Sequence, residues 1–490
     1  MIMTVIAEDI DIDEDFLNMN NNLTWPVALT NALRSGLETI DHPLPPDFLN
    51  WIDHYQQSLK NIENPHILLL EPNPLKFCAA AIAFLKKSEG SLFLGNPAWK
   101  IEELRQVAHL LNPDRLWSSP EITSQWSQIN QNINHESRKS ILHYNDEILI
   151  FFPTGGSSGG IRFAAHSLST LTTAVTGLQQ FIKSFLPPSG QINSFCVLPL
   201  FHVGGFMQWW RSALTEGQFC LMDYATVKNN PPRIPEDFVT SLVPTQLQYL
   251  LDNQPQFLKQ FRVIFLGGAP AWPGLLTQAR KLQLNLAPTY GMTETAGQVA
   301  TLLPTDFLQG RSSVGKILPH VEMIMLEQQN LSSKRKASKS DDVRLINVIS
   351  DALFLGYYPS LGNQIIFFTG DLGCFKQKYL HIVGRYNRRI ISGGKNIDPL
   401  EIETWLLDQN LVKDIVIVGI DDRHWGEAVT AIYVPQDQVN QDQIIEALKT
   451  YFAPHKCPKH WLLVPEIRRS PLGKINYAGL QLWAKMEIDK

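Results

Sequence analysis

HILLLEPNPLKFCAAAIAFLKKSEGSLFLG, residues 66–95, decides the fold class. A short apolar run is followed by Pro and Asn punctuation, a helix-like segment around 76–87, and a second short apolar run, SLFLG at 91–95. A strand that is apolar on both faces belongs inside a sheet covered on both sides, and strand, helix, strand within about thirty residues is one parallel βαβ unit. The alternation continues outward. A helical stretch near 101–111 leads to EILIFF at 147–152, and further apolar runs follow at SFCVLPL (194–200), QFCLM (218–222) and VIFLGG (263–268). The expectation is an α/β bulk with a largely parallel, buried sheet system. Near residue 384 the texture changes. The remaining hundred residues read as helix EIETWLLD, strands KDIVIVGI and VTAIYVP, helix DQIIEALKTYF and strand HWLLVPEI, a compact α+β unit.

Composition excludes several classes. The 490 residues are 44% hydrophobic and 18% charged with net charge -5, too long for one small core and without the basic footprint of a nucleic-acid partner. Cys78, Cys196, Cys220, Cys374 and Cys457 are odd in number, scattered and free of a CxxC pair, which argues against a disulfide framework or zinc site and fits a reducing cytosol. The N-terminal MIMTVIAEDIDIDEDF carries acids where an export signal needs Lys or Arg, and the apolar run Phe77–Leu85 ends at Lys86 and Lys87, far short of a membrane span. A cytoplasmic protein is expected. The charge-dense SSKRKASKSDD at 332–342 reads as a solvated loop between strands.

The strand at 147–152 runs into FFPTGGSSGG, residues 151–160, and then Arg162. Glycines let several backbone N–H groups face one anion, Thr and Ser hydroxyls donate further bonds, and the guanidinium adds a cation, so the loop is suited to phosphate. It is not a Walker A loop, because Ile161 and Arg162 follow Gly160 where Lys and Ser or Thr are required. YGMTE at 290–294 offers an aromatic face at Tyr290, close approach at Gly291, a hydroxyl at Thr293 and a hard carboxylate at Glu294 suited to a magnesium-bound phosphate. FTGDLG at 368–373 places Asp371 on a Gly-flanked turn where a carboxylate can take two bonds from vicinal hydroxyls, and PLGKINY at 471–477 presents Lys474 on a Pro/Gly loop. Taken singly, these read as a strand end, a turn-forming Asp and a solvated Lys. His455 and His460 have no further ligands beside them and do not suggest a metal.

Order and completeness change that reading. PTGGSSGGIR (153–162), LPLFHVGG (198–205), LGGAP (266–270), YGMTE, LGYYP (355–359), TGD (369–371), GRYNRRIISGGKNIDPLEIE (384–403) and PLGKI (471–475) together resemble the adenylate-forming acyl-CoA synthetase superfamily over about residues 145–477. The resemblance implies a large multi-sheet N-terminal domain, residues 1–384, that binds AMP and the acyl substrate, and a small mobile α+β lid, residues 385–490, carrying a catalytic lysine. It also implies ATP, Mg2+ and CoA as reactants with a small carboxylic acid, and neither nucleic acid nor a membrane span among the partners. By that resemblance Lys474 bridges the substrate carboxylate and the α-phosphate, Glu294 holds magnesium, and Thr154, Gly155, Gly156, Ser157, Ser158, Gly159 and Gly160 cradle the outer phosphates with Arg162 nearby. Asp371 and Arg385 grip the ribose, Gly268, Ala269, Thr289 and Tyr290 line the adenine slot beside Gly291, and Thr293 faces the α-phosphate. His202 positions the acyl group, Asn387 is the hinge, and Gly393 and Gly394 lie near the CoA arm.

Two departures stand out. Ile161 and Arg162 replace the family's Pro-Lys pair, exchanging a point charge for a planar fork. Asn387 is uncharged where the hinge residue is usually Asp or Lys. The TGGSSG form of the phosphate loop most resembles the branch that ligates 2-succinylbenzoate to CoA in menaquinone or phylloquinone biosynthesis. For that acid, Trp209 and Trp210 are expected as aromatic walls; Arg211 would meet a second carboxylate if it faces the pocket, against the plainer reading of a surface or salt-bridged arginine. Other aryl or medium-chain acyl-CoA ligases, an adenylation enzyme loading a carrier protein, and a non-catalytic nucleotide-binding regulator are the alternatives.

Overall fold

The computed structural model describes residues 2–6, 25–131, 133, 147–155, 160–326, 343–393, 395–469 and 475–489. The first βαβ unit forms where expected, with strands His66–Leu70 and Gly90–Leu94 parallel and the helix Pro74–Phe84 between them. Asn73 starts that helix by accepting from the amides of Leu75 and Lys76, at 3.0 and 3.1 Å, and Pro74 supplies the fixed first-turn φ. Every residue from Phe77 to Phe84 is buried, which explains an apolar run without a polar face.

Strands Arg115–Ser118, His66–Leu70, Gly90–Leu94 and Ile148–Gly155 run parallel, and Ile161–Ser167 turns back antiparallel beside the last of them, within a seven-stranded sheet completed by Gly356–Tyr357 and Ser360–Leu361. A second seven-stranded sheet has Phe219–Leu221, Asn193–Cys196, Phe238–Leu242, Val263–Leu266 and Leu286–Met292 parallel, then Gly297–Thr301 and Lys316–Ile317 antiparallel. Parallel order ends where two strands meet through a tight return, since a parallel crossover needs a helix's worth of chain. A third sheet was not anticipated. Ile2–Ile6, Glu322–Leu326, Arg344–Ile349, Phe367–Lys376 and Tyr379–Arg385 form a wholly antiparallel set, with one face buried at alternate positions such as Met323 and Met325. The segment 332–342 lies outside the described residues.

From Ile390 onward the strands belong to a separate five-stranded sheet, in which Gly426–Pro435 pairs Val412–Asp422 and, in parallel, His460–Leu463. The helices Pro399–Asp408, Gln441–Tyr451 and Tyr477–Ile488 accompany it. All five cysteines are buried and none is in a disulfide. Among the described residues no helix is long and apolar enough to cross a membrane.

The helix Val203–Leu214 corrects two expectations. All its residues from Gly205 to Leu214 are buried. Trp210 stacks on Trp25 with ring centroids 3.8 Å apart, and the Trp209 indole donates to Leu29 O at 3.0 Å, so both rings, 0% exposed, clamp this helix against the helix Trp25–Thr39 and do not wall a pocket. Arg211 is not on the surface, and among the described residues it forms no salt bridge. It is 6% exposed, its Nε donates to Met207 O, and Nη1 is buried without a partner among the described residues.

Candidate active site

The site lies at the carboxyl ends of the parallel strands, where chain leaving a sheet is free to form loops. Strand Ile148–Gly155 delivers the Gly/Ser loop and strand Ile161–Ser167 receives it, with Thr154 opposite Arg162 and Gly155 opposite Ile161. Gly156, Ser157, Ser158 and Gly159 lie outside the described residues. Thr154 is 7% exposed, and its hydroxyl is buried with no partner among the described residues. A Cβ on Gly160 would meet nothing within 4 Å, so the returning arm is open on that side. Arg162 is exposed, and its guanidinium carbon sits 4.1 Å from the Tyr357 ring centroid.

Strand Leu286–Met292 brings the second cluster. Its register slips between Tyr290 and Gly291, and a Cβ on Gly291 would stand 1.9 Å from Gly297 O, so only glycine fits this approach. The chain then closes a short turn, Thr293–Thr295, with Ala296 left-handed at φ 52. Glu294 Oε1 accepts from the Tyr357 hydroxyl at 2.6 Å, and its main-chain oxygen accepts from Phe354 N at 2.9 Å. Burial, then the Glu294 charge, pushes the Tyr357 hydroxyl well above its usual range, so it remains a donor. The carbonyl of Thr293 meets His166 Nε2 at 2.8 Å.

Asp371 is 7% exposed and both its oxygens are engaged. Arg385 Nε donates to Oδ1 and the Tyr290 hydroxyl donates to Oδ2, each at 2.7 Å, while Arg385 Nη2 also donates to Thr369 O. Burial and the neighbouring Asp371 drive the Tyr290 phenol far up, keeping it neutral. The loops after Val263–Leu266 and within Leu286–Met292 are neighbours, with Leu266 opposite Pro288; there Gly268 takes φ +81 beside Ala269, and the Thr289 hydroxyl donates to Leu266 O at 3.3 Å. Thr293 is buried at 5% exposure. His202 precedes the helix Val203–Leu214, its carbonyl accepting from Gly205 and Phe206, its ring centroid 4.4 Å from that of Phe201.

Asn387 lies in the turn Tyr386–Arg388. Next to it, Arg388 donates to Glu403 at 2.7 Å and stacks 3.9 Å over the Tyr477 ring. Gly393 has φ +56, donates its amide to Trp425 O at 2.7 Å and faces the Trp425 ring. Gly394 and Lys474 lie outside the described residues; flanking Lys474, Arg469 and Ile475 pair as an antiparallel bridge.

The residues fit a nucleotide and Mg2+. No group of three or more His, Cys, Asp or Glu side chains stands ready for a metal among the described residues, so the protein offers one carboxylate, Glu294, and magnesium would take its other ligands from phosphate and water, its usual habit. Sequence reasoning quoted LGYYP without seeing that Tyr357 ties Arg162 to Glu294, and passed over His166. The signal for Tyr357 was its fixed place among the motifs; a single His after an apolar strand gives none.

Residues 75–343 match the AMP-binding enzyme family and residues 401–474 the AMP-binding enzyme C-terminal domain. The 2-succinylbenzoate--CoA ligase of Oceanobacillus iheyensis is 30% identical over 349 residues, 68% of this chain and 69% of its own. The indoleacetate--CoA ligase of Aromatoleum aromaticum is 30% identical over 301 residues, 57% of each chain. The o-succinylbenzoate CoA synthetase of Bacillus subtilis, solved with its acyl-adenylate intermediate, superposes with a TM-score of 0.75 at 19% identity, covering 94% of this chain and 98% of that one. With more than half its length matched, and with the phosphate hairpin, the Glu294 turn and the Asp371–Arg385 pair supplied by three neighbouring sheets, the chain belongs to the AMP-binding enzyme family.

Proposed function

We propose that this protein joins a carboxylic acid to the thiol of coenzyme A through an acyl-adenylate formed from ATP, and that the acid is 2-succinylbenzoate. The observation that carries the ligase reading is the convergence at and just after strand Leu286–Met292: Tyr290 reaches Asp371, which holds Arg385, on one side, and Glu294 accepts from Tyr357, whose ring carries Arg162, on the other. A carboxylate is a poor acylating agent because its leaving group would be oxide. Transfer to the α-phosphate with loss of pyrophosphate replaces oxide by AMP, a leaving group that a thiol can displace. The first step brings two anions together, so cations and N–H groups aimed at the phosphates supply the stabilisation. Thr154 and the loop to Gly160 would hold the outer phosphates, with Arg162 beside them. Asp371 and Arg385 would grip the ribose, Gly268, Ala269, Thr289 and Tyr290 the adenine, and Thr293 and Lys474 the α-phosphate. Magnesium, held through Glu294, would supply Lewis acidity toward the phosphate oxygens. Rotation about Asn387 would then withdraw Lys474, residue 385 opening the lid, and present Gly393 and Gly394 to the pantetheine arm, while His202 holds the acyl end.

Arg211 supports a diacid. An arginine at 6% exposure without an acid partner is costly, and burial lowers its pKa to about 10. A substrate bringing a second carboxylate would offset that cost. A monoacid such as the indoleacetate named for the Aromatoleum relative would leave Arg211 unpaired. The test is incubation with ATP, Mg2+, CoA and a panel of acids, following AMP and thioester. The reading requires 2-succinylbenzoate to give the highest kcat/KM; a monoacid in that place would displace it.

A further inference from the structure

His166 joins the two halves of the site and has no part in the scheme above. It stands on the strand that returns from the phosphate hairpin and is 0% exposed. Its Nε2 is 2.8 Å from Thr293 O, and its Nδ1 is 2.9 Å from the Thr170 hydroxyl, which also reaches Ser167 O at 3.0 Å. A carbonyl only accepts, so Nε2 carries the proton. Burial holds the ring neutral at ordinary pH, so Nδ1 is an acceptor and competes with Ser167 O for the single Thr170 hydroxyl proton. The tautomer is therefore fixed.

Thr293 O belongs to the peptide unit that begins Glu294, and a peptide unit is rigid. The next peptide is held as well, since Glu294 O accepts from Phe354 N. With both units pinned, few torsions remain between the anchored backbone and the carboxylate. We propose that His166 is a positioning residue for Glu294, tying the carboxylate's backbone to the phosphate strand so that the metal ligand and the phosphate cradle keep one separation. The role rests on the reading of Glu294 as the magnesium carboxylate, and acts as an outer-shell partner does in other metal sites.

The test compares full-length His166→Gln, His166→Asn and Glu294→Gln with the parent. The Gln amide nitrogen falls near the Nε2 position and can still donate to Thr293, whereas the Asn amide stops near Nδ1 and cannot. Mn2+ serves as the probe, and its affinity for the protein–ATP complex, without acid or CoA, is read from water-proton relaxation, which needs no turnover. His166→Gln should bind Mn2+ within about 3-fold of the parent, and His166→Asn roughly 10- to 100-fold more weakly. Conversion of supplied acyl-adenylate to thioester should be unchanged in both, since pyrophosphate has already left. Unaltered Mn2+ affinity in His166→Asn, equal losses in both variants, or an Asn variant that fails to fold would each overturn the role. Parent-like Mn2+ binding by Glu294→Gln would instead remove the reading of Glu294 itself, whereas its loss beside an unaffected His166→Asn would remove the positioning role alone.

Discussion

At the scale of single residues, Arg211 is a cation within the core with Nη1 unpartnered among the described residues. Replacing a buried charge by an apolar residue of similar volume is often neutral or stabilising by about 1–4 kcal/mol. Arg211→Met should therefore raise the melting temperature while increasing KM for 2-succinylbenzoate at least 10-fold and sparing a monoacid. A lower melting temperature with equal losses for both acids would make Arg211 a packing element. Lys474 invites a different experiment, because an ammonium that neutralises charge as carboxylate meets α-phosphate acts in one half-reaction only. Lys474→Ala should lose adenylation by roughly 10² to 10³-fold, the usual effect of deleting one electrostatic stabiliser, and keep thioester formation from supplied adenylate. Parallel decline of the two rates would count against a rotating lid. Asp371 and Arg385 were legible because their motifs recur in fixed order, and they do meet, at 2.7 Å. Trp209 and Trp210 were misread, and the surface reading of Arg211 fails with them, for a physical reason: sequence gives a helix its faces but not what covers each, and here every face is covered.

At the scale of elements, the helix Leu168–Phe181 and the segment before strand Glu322–Leu326 are fitted to each other through Gly177. A Cβ there would stand 1.9 Å from His320 Nδ1. Gly177→Ala should destabilise the fold by about 1–3 kcal/mol, the ordinary cost of overpacking. The double variant with His320→Ala should recover it and more, since alanine is the better helix former by about 1 kcal/mol. Thermal melts of the four proteins decide this, and simple additivity would mean that the two sites do not touch. The parallel strands were readable as continuous apolar runs, such as Ile67–Leu70 at 0% exposure. The antiparallel sheet was not, because Glu322–Leu326 buries only alternate residues over five positions, too short a pattern to stand out beside a charged segment. Two-residue strands such as Lys316–Ile317 and Gly356–Tyr357 carry no periodicity at all, so the support of Glu294 by Tyr357 could only be found in three dimensions.

For the whole molecule, His166 and His320 each make stability depend on acid pH. Burial pulls both pKa values from 6.5 to about 4. Between those values the unfolded chain takes up protons that the folded chain refuses, so stability present above pH 6.5 is lost as the pH falls toward 4. Each pKa unit is about 1.4 kcal/mol, giving at most on the order of 3 kcal/mol for each ring. Denaturant midpoints across pH 7 to 4 should fall, and less steeply in His320→Ala; an equal slope would remove His320 from the account. The change of texture near residue 384 was visible because the final hundred residues need a core of their own, and Ile390, Ile402, Val429 and Ile444 pack into one. What composition could not reveal is Arg388 spanning Glu403 and Tyr477, which ties the turn Tyr386–Arg388 to the helices Pro399–Asp408 and Tyr477–Ile488. The five buried thiols have a practical corollary. None exceeds 8% exposure, and desolvation raises the pKa of Cys78, Cys196, Cys220 and Cys457, leaving little thiolate to react. A chromogenic aromatic disulfide added to timed samples of the reaction should therefore titrate only the sulfhydryl of the CoA that remains, so that each fall in colour yield counts the turnovers already completed, and only denaturant should release the further five equivalents from the chain.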